Sequence, residues 1–284
     1  MEDRATIRGI LEQGVRDLAA CSETPRLDAE ILLSLALGKP RSHLHAWPRE
    51  KVERQRRDTF RKLIQRRQQG EPIAYLTGQQ EFWSLKLRVT PDTLVPRPET
   101  EHLVELALDL VPRDAAWLIA DLGTGPGTIA LALARERPRC KFIAVDICEA
   151  ALAVAMENAR RLGISNVSFR QSDWFSQIRG LRFDAITANP PYVRSNDPCL
   201  ARLTHEPGIA LVSGPGGMEA LETIIREARS HLKDAGWLLL EHGHDQGDAT
   251  LELLRRHGYH KVAGHRDYAG HARNAAGQYL NAAT

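Results

Sequence analysis

The 284-residue sequence is poor in the features that would place it outside an ordinary reducing, aqueous setting. Its four cysteines (Cys21, Cys140, Cys148, Cys199) are scattered, with no C-x-x-C pair and no histidine at zinc-finger spacing. They read as reduced thiols of a cytoplasmic protein, with no disulfide framework and no metal. There is no uninterrupted apolar run of about 18 residues, which excludes a spanning helix. The opening MEDRATIRGI has acids and no continuous apolar stretch, which argues against a secretion signal. Charge of one sign is also lacking: 38 Lys and Arg against 36 Asp and Glu leave +2, so the whole chain is no polycation. Internal repeats and low-complexity segments are absent. What is present is a globular composition, 43% hydrophobic and 26% charged, with enough apolar material for a core.

The charge is unevenly spread. Residues 39–67 hold eleven Lys and Arg against three acids, a local excess of +8 that leaves the remainder at −6. Such a segment can meet nucleic acid or an acidic partner, but it is also what a solvated helix face looks like, and the solvated face is the simpler reading. Around it, apolar residues recur at helical spacing: Ile7, Ile10, Leu11, Val15, Leu18; Leu27, Ile31, Leu35; Phe60, Leu63, Ile64. Residues 1–72 are therefore expected to form a small all-helical domain, closed by Gly70-Glu71-Pro72. Residues 73–97 read as a hairpin-like connector, with strand-like alternation over 82–89 and prolines at 91 and 96. A helix is expected from Glu99 to near Pro112. From Trp117 short apolar runs at 117–123, 142–147, 167–173, 183–191 and 237–243 alternate with helical segments at 127–136, 149–162, 217–233 and 246–257. That rhythm predicts an α/β domain over 98–284 with a doubly wound, mostly parallel sheet. Tyr259–Val262 and Gln278–Leu280 could add a closing antiparallel pair.

Chemistry concentrates at expected strand ends. After the first run comes Asp121-Leu122-Gly123-Thr124-Gly125-Pro126-Gly127, a turn opening a helix. Glycines there permit a sharp bend and close approach of a ligand to the backbone. A dinucleotide fingerprint would want a third glycine at 128, where Thr128 stands. The acid before the glycines suits a cationic ligand better than a pyrophosphate. Asp146, ending the next run, could accept from a ribose diol or could cap the following helix. Asp173-Trp174 follows the third run, an acid and an aromatic suited to adenine, although a tryptophan is as readily core. At the end of the fourth run stands Asn189-Pro190-Pro191-Tyr192. Two prolines stiffen the segment and remove two donors. The Asn oxygen and the Pro190 carbonyl can then accept both hydrogens of a planar amine or amide, with Tyr192 lying against it.

On these residues the chain resembles the Rossmann-like class I S-adenosylmethionine-dependent methyltransferases with an N-P-P-Y amine site. Within them it is similar to the peptide chain release factor glutamine-N(5) methyltransferases. The resemblance extends to Glu71–Gly78, Glu81-Phe82-Trp83, Leu94–Glu101 and Glu206-Pro207 with Ala210-Leu211, and is weakest over residues 1–65. One departure is His205, where an aromatic would be expected before Glu-Pro. The resemblance implies S-adenosylmethionine on Asp121 and Gly123–Gly127 (Gly123, Thr124, Gly125, Pro126, Gly127), Asp146 at the ribose, Trp174 near adenine, Asn189 also among the cofactor-binding residues, and S-adenosylhomocysteine as product. It implies a substrate glutamine, from the Gly-Gly-Gln loop of class-1 release factors, gripped by Asn189 and Pro190 with Tyr192 beside it, Pro191 belonging to the same substrate site. The helical domain would help to hold that protein partner, and no membrane or direct nucleic-acid substrate is expected. Rival readings are a ribosomal-protein glutamine methyltransferase, an exocyclic-amine methyltransferase of nucleic acid, and a non-catalytic protein that binds S-adenosylmethionine or RNA.

Overall fold

Apolar stripes at three- and four-residue spacing need partners, and in the first eighty residues they find one another. A computed structural model describes residues 5–281, and the chain divides into two units between Gln79 and Gln80. The first unit contains α1 (Ile7–Leu18), α2 (Pro25–Leu37), α3 (Arg41–Ala46), α4 (Arg54–Gln68) and α5 (Ile73–Thr77). The Thr6 hydroxyl accepts from the Gly9 N–H at 3.2 Å and caps α1. Pro25 opens α2, and Gly38, at φ 66°, ends it in the left-handed region. Leu18, Leu32 and Leu33 are fully buried and pack with Phe60, Leu63 and Ile64, the buried face of α4. Arg54, Arg56, Arg61, Lys62 and Arg66 on that helix are exposed, whereas Arg67 reaches inward to the buried Asp28 at 2.8 Å. Gly70-Glu71-Pro72 does not end the helical region, because α5 follows it.

The second unit begins with a hairpin, β1 (Gln79–Phe82) and β2 (Leu85–Arg88). The alternation over 82–89 is therefore not one strand. The chain reverses at Trp83 and Ser84, at φ 51° and 56°, the two left-handed residues that a type I′ turn requires. A two-residue turn preserves the period, so Phe82, Leu85 and Leu87 are all buried. The Trp83 N–H donates to Glu101 Oε1 at 2.7 Å and braces the turn against α6 (Glu101–Leu110).

Next come β3 (Leu118–Leu122), α7 (Thr128–Glu136), β4 (Lys141–Asp146), α8 (Glu149–Leu162), β5 (Val167–Gln171) and β6 (Phe183–Ala188). The chain ends with α9 (Glu219–Ala228), β7 (Leu232–Glu241), α10 (Gly247–Arg256), β8 (Tyr259–Arg266) and β9 (Ala272–Tyr279). The sheet order is β5-β4-β3-β6-β7-β9-β8. The first five strands in that order are parallel, and β9 runs antiparallel between β7 and β8. Ile119, Ala185, Leu239 and Ala276 face α6 and α7 on one side. Ala120, Ile186, Leu238 and Leu240 meet Leu221, Ile224 and Ile225 of α9 on the other. This is the doubly wound, mostly parallel α/β sheet expected from the alternation of strands and helices.

One strand begins earlier than its apolar run suggests. Leu232 already pairs with Phe183, but the next paired residues are Trp237 and Ala185. The intervening Lys233-Asp234-Ala235-Gly236 forms a bulge, with Ala235 at φ 59°, so its polar sequence reads as the end of a helix. A second feature hidden in the sequence is Asn158, fully buried in α8. Its Oδ1 accepts from the Arg88 N–H at 2.7 Å, and its Nδ2 donates to the carbonyls of Arg88 and Pro126, each at 2.9 Å. It joins the hairpin to the turn after β3. Asn158→Ala leaves three buried or half-buried backbone groups without this partner and should cost about 2–4 kcal/mol of stability. Urea unfolding of the two proteins measures the difference.

Candidate functional site

In a doubly wound sheet the crevice opens where neighbouring strands lead their chains in opposite directions. Here that point lies between β3 and β6. A cavity of about 400 Å³, within the range of small-ligand sites, opens beside it and is lined by residues that follow β3, β4, β5 and β6. Residues 92–94 and 207–214 and the start of α9 complete its wall.

The turn after β3 is built for close approach. Gly123, Gly125 and Gly127 all have positive φ (69°, 56° and 90°). A Cβ on Gly125 would meet nothing within 4 Å, whereas one on Gly127 would lie 2.7 Å from Leu131 Cδ1. The middle glycine therefore opens on space and the third permits helix packing. Asp146 braces this turn from the next strand: its Oδ2 accepts from the Gly125 N–H at 2.8 Å and its Oδ1 from the Cys148 N–H at 2.9 Å. Burial raises its pKa against the pull of those N–H groups. Asp146 does not cap α8; the cap residue is Cys148, and its side chain makes no cap bond. The Trp174 indole lies against the turn, 3.6 Å from where a Gly123 Cβ would stand, and its backbone at φ 44° is held by the Ser172 hydroxyl donating to its carbonyl at 2.8 Å.

The residues singled out from sequence divide into two sets. Gly123, Gly125, Asp146, Trp174, Asn189 and Pro191 line the cavity. Asp121, Thr124, Pro126, Gly127, Pro190 and Tyr192 do not. Asp121 is buried beneath it, with Oδ2 accepting from the Thr124 hydroxyl at 2.6 Å and Oδ1 from the Thr187 hydroxyl at 2.9 Å. Pro190 is buried. Tyr192 is half-buried, with charged groups near its phenol. Burial, with Glu241 nearby, pushes its phenol up to about 12, against Arg273 and Arg97. Its carbonyl accepts from Gln246 Nε2 at 3.0 Å.

Three contributors were given no individual site role from the sequence. Glu241, at the end of β7, is buried, and burial pushes its carboxyl up to about 7. Hydrogen bonding from Thr100 and Asn189 and the charge of Arg273 offset part of that rise. Thr100, also buried, accepts from Asn189 Nδ2 at 3.1 Å. Glu206 ties two cavity walls together, accepting from the Val95 N–H at 3.0 Å and from the Arg97 guanidinium. The Glu-Pro texture flagged Glu206, but nothing in the apolar run before Glu241 marks that acid as other than a strand end.

The arrangement suits a nucleoside bearing a positive charge: a glycine cradle, a carboxylate at the next strand end, an indole beside both, and an amide acceptor across the cavity. Among the described residues no group of three or more His, Cys, Asp or Glu is placed to hold a metal, and no helix is long and apolar enough to cross a membrane.

Residues 10–78 match a family model described as PrmC N-terminal domain, and residues 115–266 one described as Methyltransferase domain. A protein of Pseudomonas aeruginosa named release factor glutamine methyltransferase is 49% identical over 260 residues, covering 91% of this chain and 94% of its own. One of Vibrio cholerae with the same name is 45% identical over 278 residues, covering 96% and 97%. Among solved structures, a methyltransferase from Pyrococcus furiosus superposes with a TM-score of 0.53 at 20% identity, over 69% of this chain and 90% of that one, a likeness of fold.

The Asp121 carboxyl, pushed up from 3.8 to about 6 by burial, gives a signed expectation. Its folded form holds a proton more tightly than the unfolded chain, so it adds stability at low pH and withdraws it as pH rises from about 4 through 6. Asp121→Asn lacks that slope. Between pH 5 and pH 8 the variant should gain on the order of 1 kcal/mol relative to wild type, read from urea unfolding at both pH values.

Proposed function

The chain belongs to the release factor glutamine methyltransferase family, whose methyl donor is S-adenosylmethionine, and on that premise we propose that its substrate is the glutamine of the Gly-Gly-Gln motif in class-1 peptide chain release factors. The observation that carries this reading is the place of Asn189-Pro190-Pro191-Tyr192: it follows β6 at the switch point, with Asn189 facing the same cavity as the glycine turn.

When bound, S-adenosylmethionine supplies an electrophilic methyl group on a positively charged sulfur. The residues fit it. Gly123 and Gly125 leave room for close approach, Asp146 can take further hydrogen bonds from a ribose diol on its free lone pairs, and the Trp174 indole offers a face to adenine. Asn189 Oδ1 and the Pro190 carbonyl would accept the two hydrogens of the glutamine amide, with the Tyr192 ring against its plane. An amide nitrogen is a poor nucleophile, because its lone pair is shared with the carbonyl. The protein therefore contributes chiefly by orientation and directional hydrogen bonds. Tyr192, with its phenol pushed to about 12, stays protonated and does not serve as a base at neutral pH; the amide proton can leave after methyl transfer.

The helical unit, bounded at residue 72 on the sequence reading, would help to hold the release factor. We read the basic residues 39–67 as a solvated face with an edge toward that protein, with no direct nucleic-acid substrate. Work in the cytoplasm fits cysteines that are all free.

The test is mass spectrometry of a purified class-1 release factor after incubation with the protein and S-adenosylmethionine, with one methyl expected on the Gly-Gly-Gln glutamine. Methylation of a ribosomal protein or a nucleobase, with the release factor untouched, overturns the reading. Asn189→Ala should slow single-turnover methylation about a hundredfold or more with little change in melting temperature. Asp146→Ala should weaken S-adenosylmethionine binding by about 1.5–3 kcal/mol in calorimetry; unchanged affinity would remove Asp146 from the site.

A further inference from the structure

Asparagine presents two ends of nearly the same shape, an oxygen that accepts and a nitrogen that donates. A site that receives an amine or amide N–H needs the oxygen outward, and what lies behind the side chain decides this. Behind Asn189, Nδ2 donates to the Thr100 hydroxyl at 3.1 Å. A hydroxyl accepting that bond must send its own hydrogen elsewhere, and the buried Glu241 carboxyl, which Thr100 and Asn189 both pull back toward the ionised form, is the acceptor on that side.

The backbone places these groups side by side. Ala188 pairs with Leu240 in the parallel β6–β7 ladder, so the next residues, Asn189 and Glu241, stand abreast at its end. Glu241 in turn pairs with Asn274 across the antiparallel β7–β9 ladder. Glu241 is 1% exposed and Asn274 fully buried. Glu241 Oε2 and both polar atoms of the Asn274 side chain have no hydrogen-bond partner. An acid with an unpartnered oxygen at full burial is costly to the fold, and neither the glycine turn nor the cavity wall uses it. The groups that bear on it are Thr100, Asn189, Arg273, Glu99 and Tyr192.

We propose that Glu241 is a positioning residue: its carboxylate, which can only accept, orders the hydrogen bonds of Thr100 and Asn189 so that the amide nitrogen of Asn189 faces the protein and its oxygen faces the substrate. The inference rests on the reading of Asn189 given above. A group at 241 able to donate, a glutamine or the acid itself when protonated below about pH 7, would let the Thr100 hydroxyl, and then the amide, reverse. The oxygen would turn inward, and two N–H groups would confront the N–H groups of the substrate.

The experiment measures single-turnover methylation of a class-1 release factor at pH 8.5 and saturating S-adenosylmethionine, with cofactor affinity by calorimetry and a melting curve for each variant. Glu241→Gln should slow methyl transfer tenfold or more, with cofactor affinity and the KM for the release factor within threefold of wild type. Added to Asn189→Ala it should slow transfer no further than twofold, because Glu241 acts through that side chain; a purely structural role would add its cost in full. Thr100→Val should lose rate in the same way, while Thr100→Ser, which keeps the hydroxyl, should stay within threefold of wild type. A wild-type rate for Glu241→Gln beside a slow Asn189→Ala overturns the positioning role and leaves the site standing. Full additivity of the two also overturns it. A wild-type rate for Asn189→Ala sinks the reading of the site itself. Should Glu241→Gln not fold, the two Thr100 variants decide alone: equal rates for Val and Ser overturn the proposal.

Discussion

Much of this site depends on one buried carboxylate with two hydroxyls on it. Asp121 holds Thr124 of the glycine turn with one oxygen and Thr187 of β6 with the other. Thr187 lies two residues before Asn189, so the glycine turn on one strand and the Asn189–Tyr192 segment on its neighbour share one anchor. In a parallel sheet the backbone ladder alone sets register along the strands. It says little about how the loops beyond the strand ends stand toward each other. Asp121 supplies that relation from beneath, at the expense of keeping an acid out of water.

The walls above repeat the tactic. Glu206 accepts from the backbone of Val95 and from Arg97, joining segments more than a hundred residues apart in sequence. The segment leaving Tyr192 pairs with the one leaving Leu211: the Val193 N–H donates to the Leu211 carbonyl and the Ser213 N–H to the Val193 carbonyl, each at 2.9 Å. Carboxylates that would serve as surface charges elsewhere act here as internal ties, because each has two oxygens and can hold two chain segments at once. Asn158 performs the same service with an amide, having both a donor and an acceptor to offer.

How much of this was legible depended on whether the signal was local. The alternation of strands and helices from residue 117 onward, the glycine turn and Asn189–Tyr192 are written in contiguous residues, and the sheet follows from them. A hairpin-like connector was legible, but the place of its reversal at Trp83-Ser84 was not, since neither residue advertises a left-handed backbone and a two-residue turn leaves the apolar period unbroken. The early start of β7 was masked by the polar bulge 233–236. Asp121 reads as an acid aimed at a cationic ligand, but its oxygens are taken from below by threonines, one of them on another strand. Glu241 and Asn158 carry no local mark at all. Their partners come from strands and loops far along the chain, and only the assembled sheet brings them together.

The place of β9 sets an order on events during synthesis. It is made after β8 yet lies inside it, between β7 and β8. A growing chain can pair β3 to β7 as they emerge, since domains tend to fold from the N-terminus onward. However, β7 keeps an open edge, and β8 has no neighbour to lie against, until residues 272–279 arrive. Asn274 comes with that strand and closes the flank of Glu241. The surroundings of Asn189 are thus among the last parts of the chain to be built. A nascent chain lacking β9 can hold the glycine turn in place with its neighbouring strands while the other half of the crevice is still unsupported.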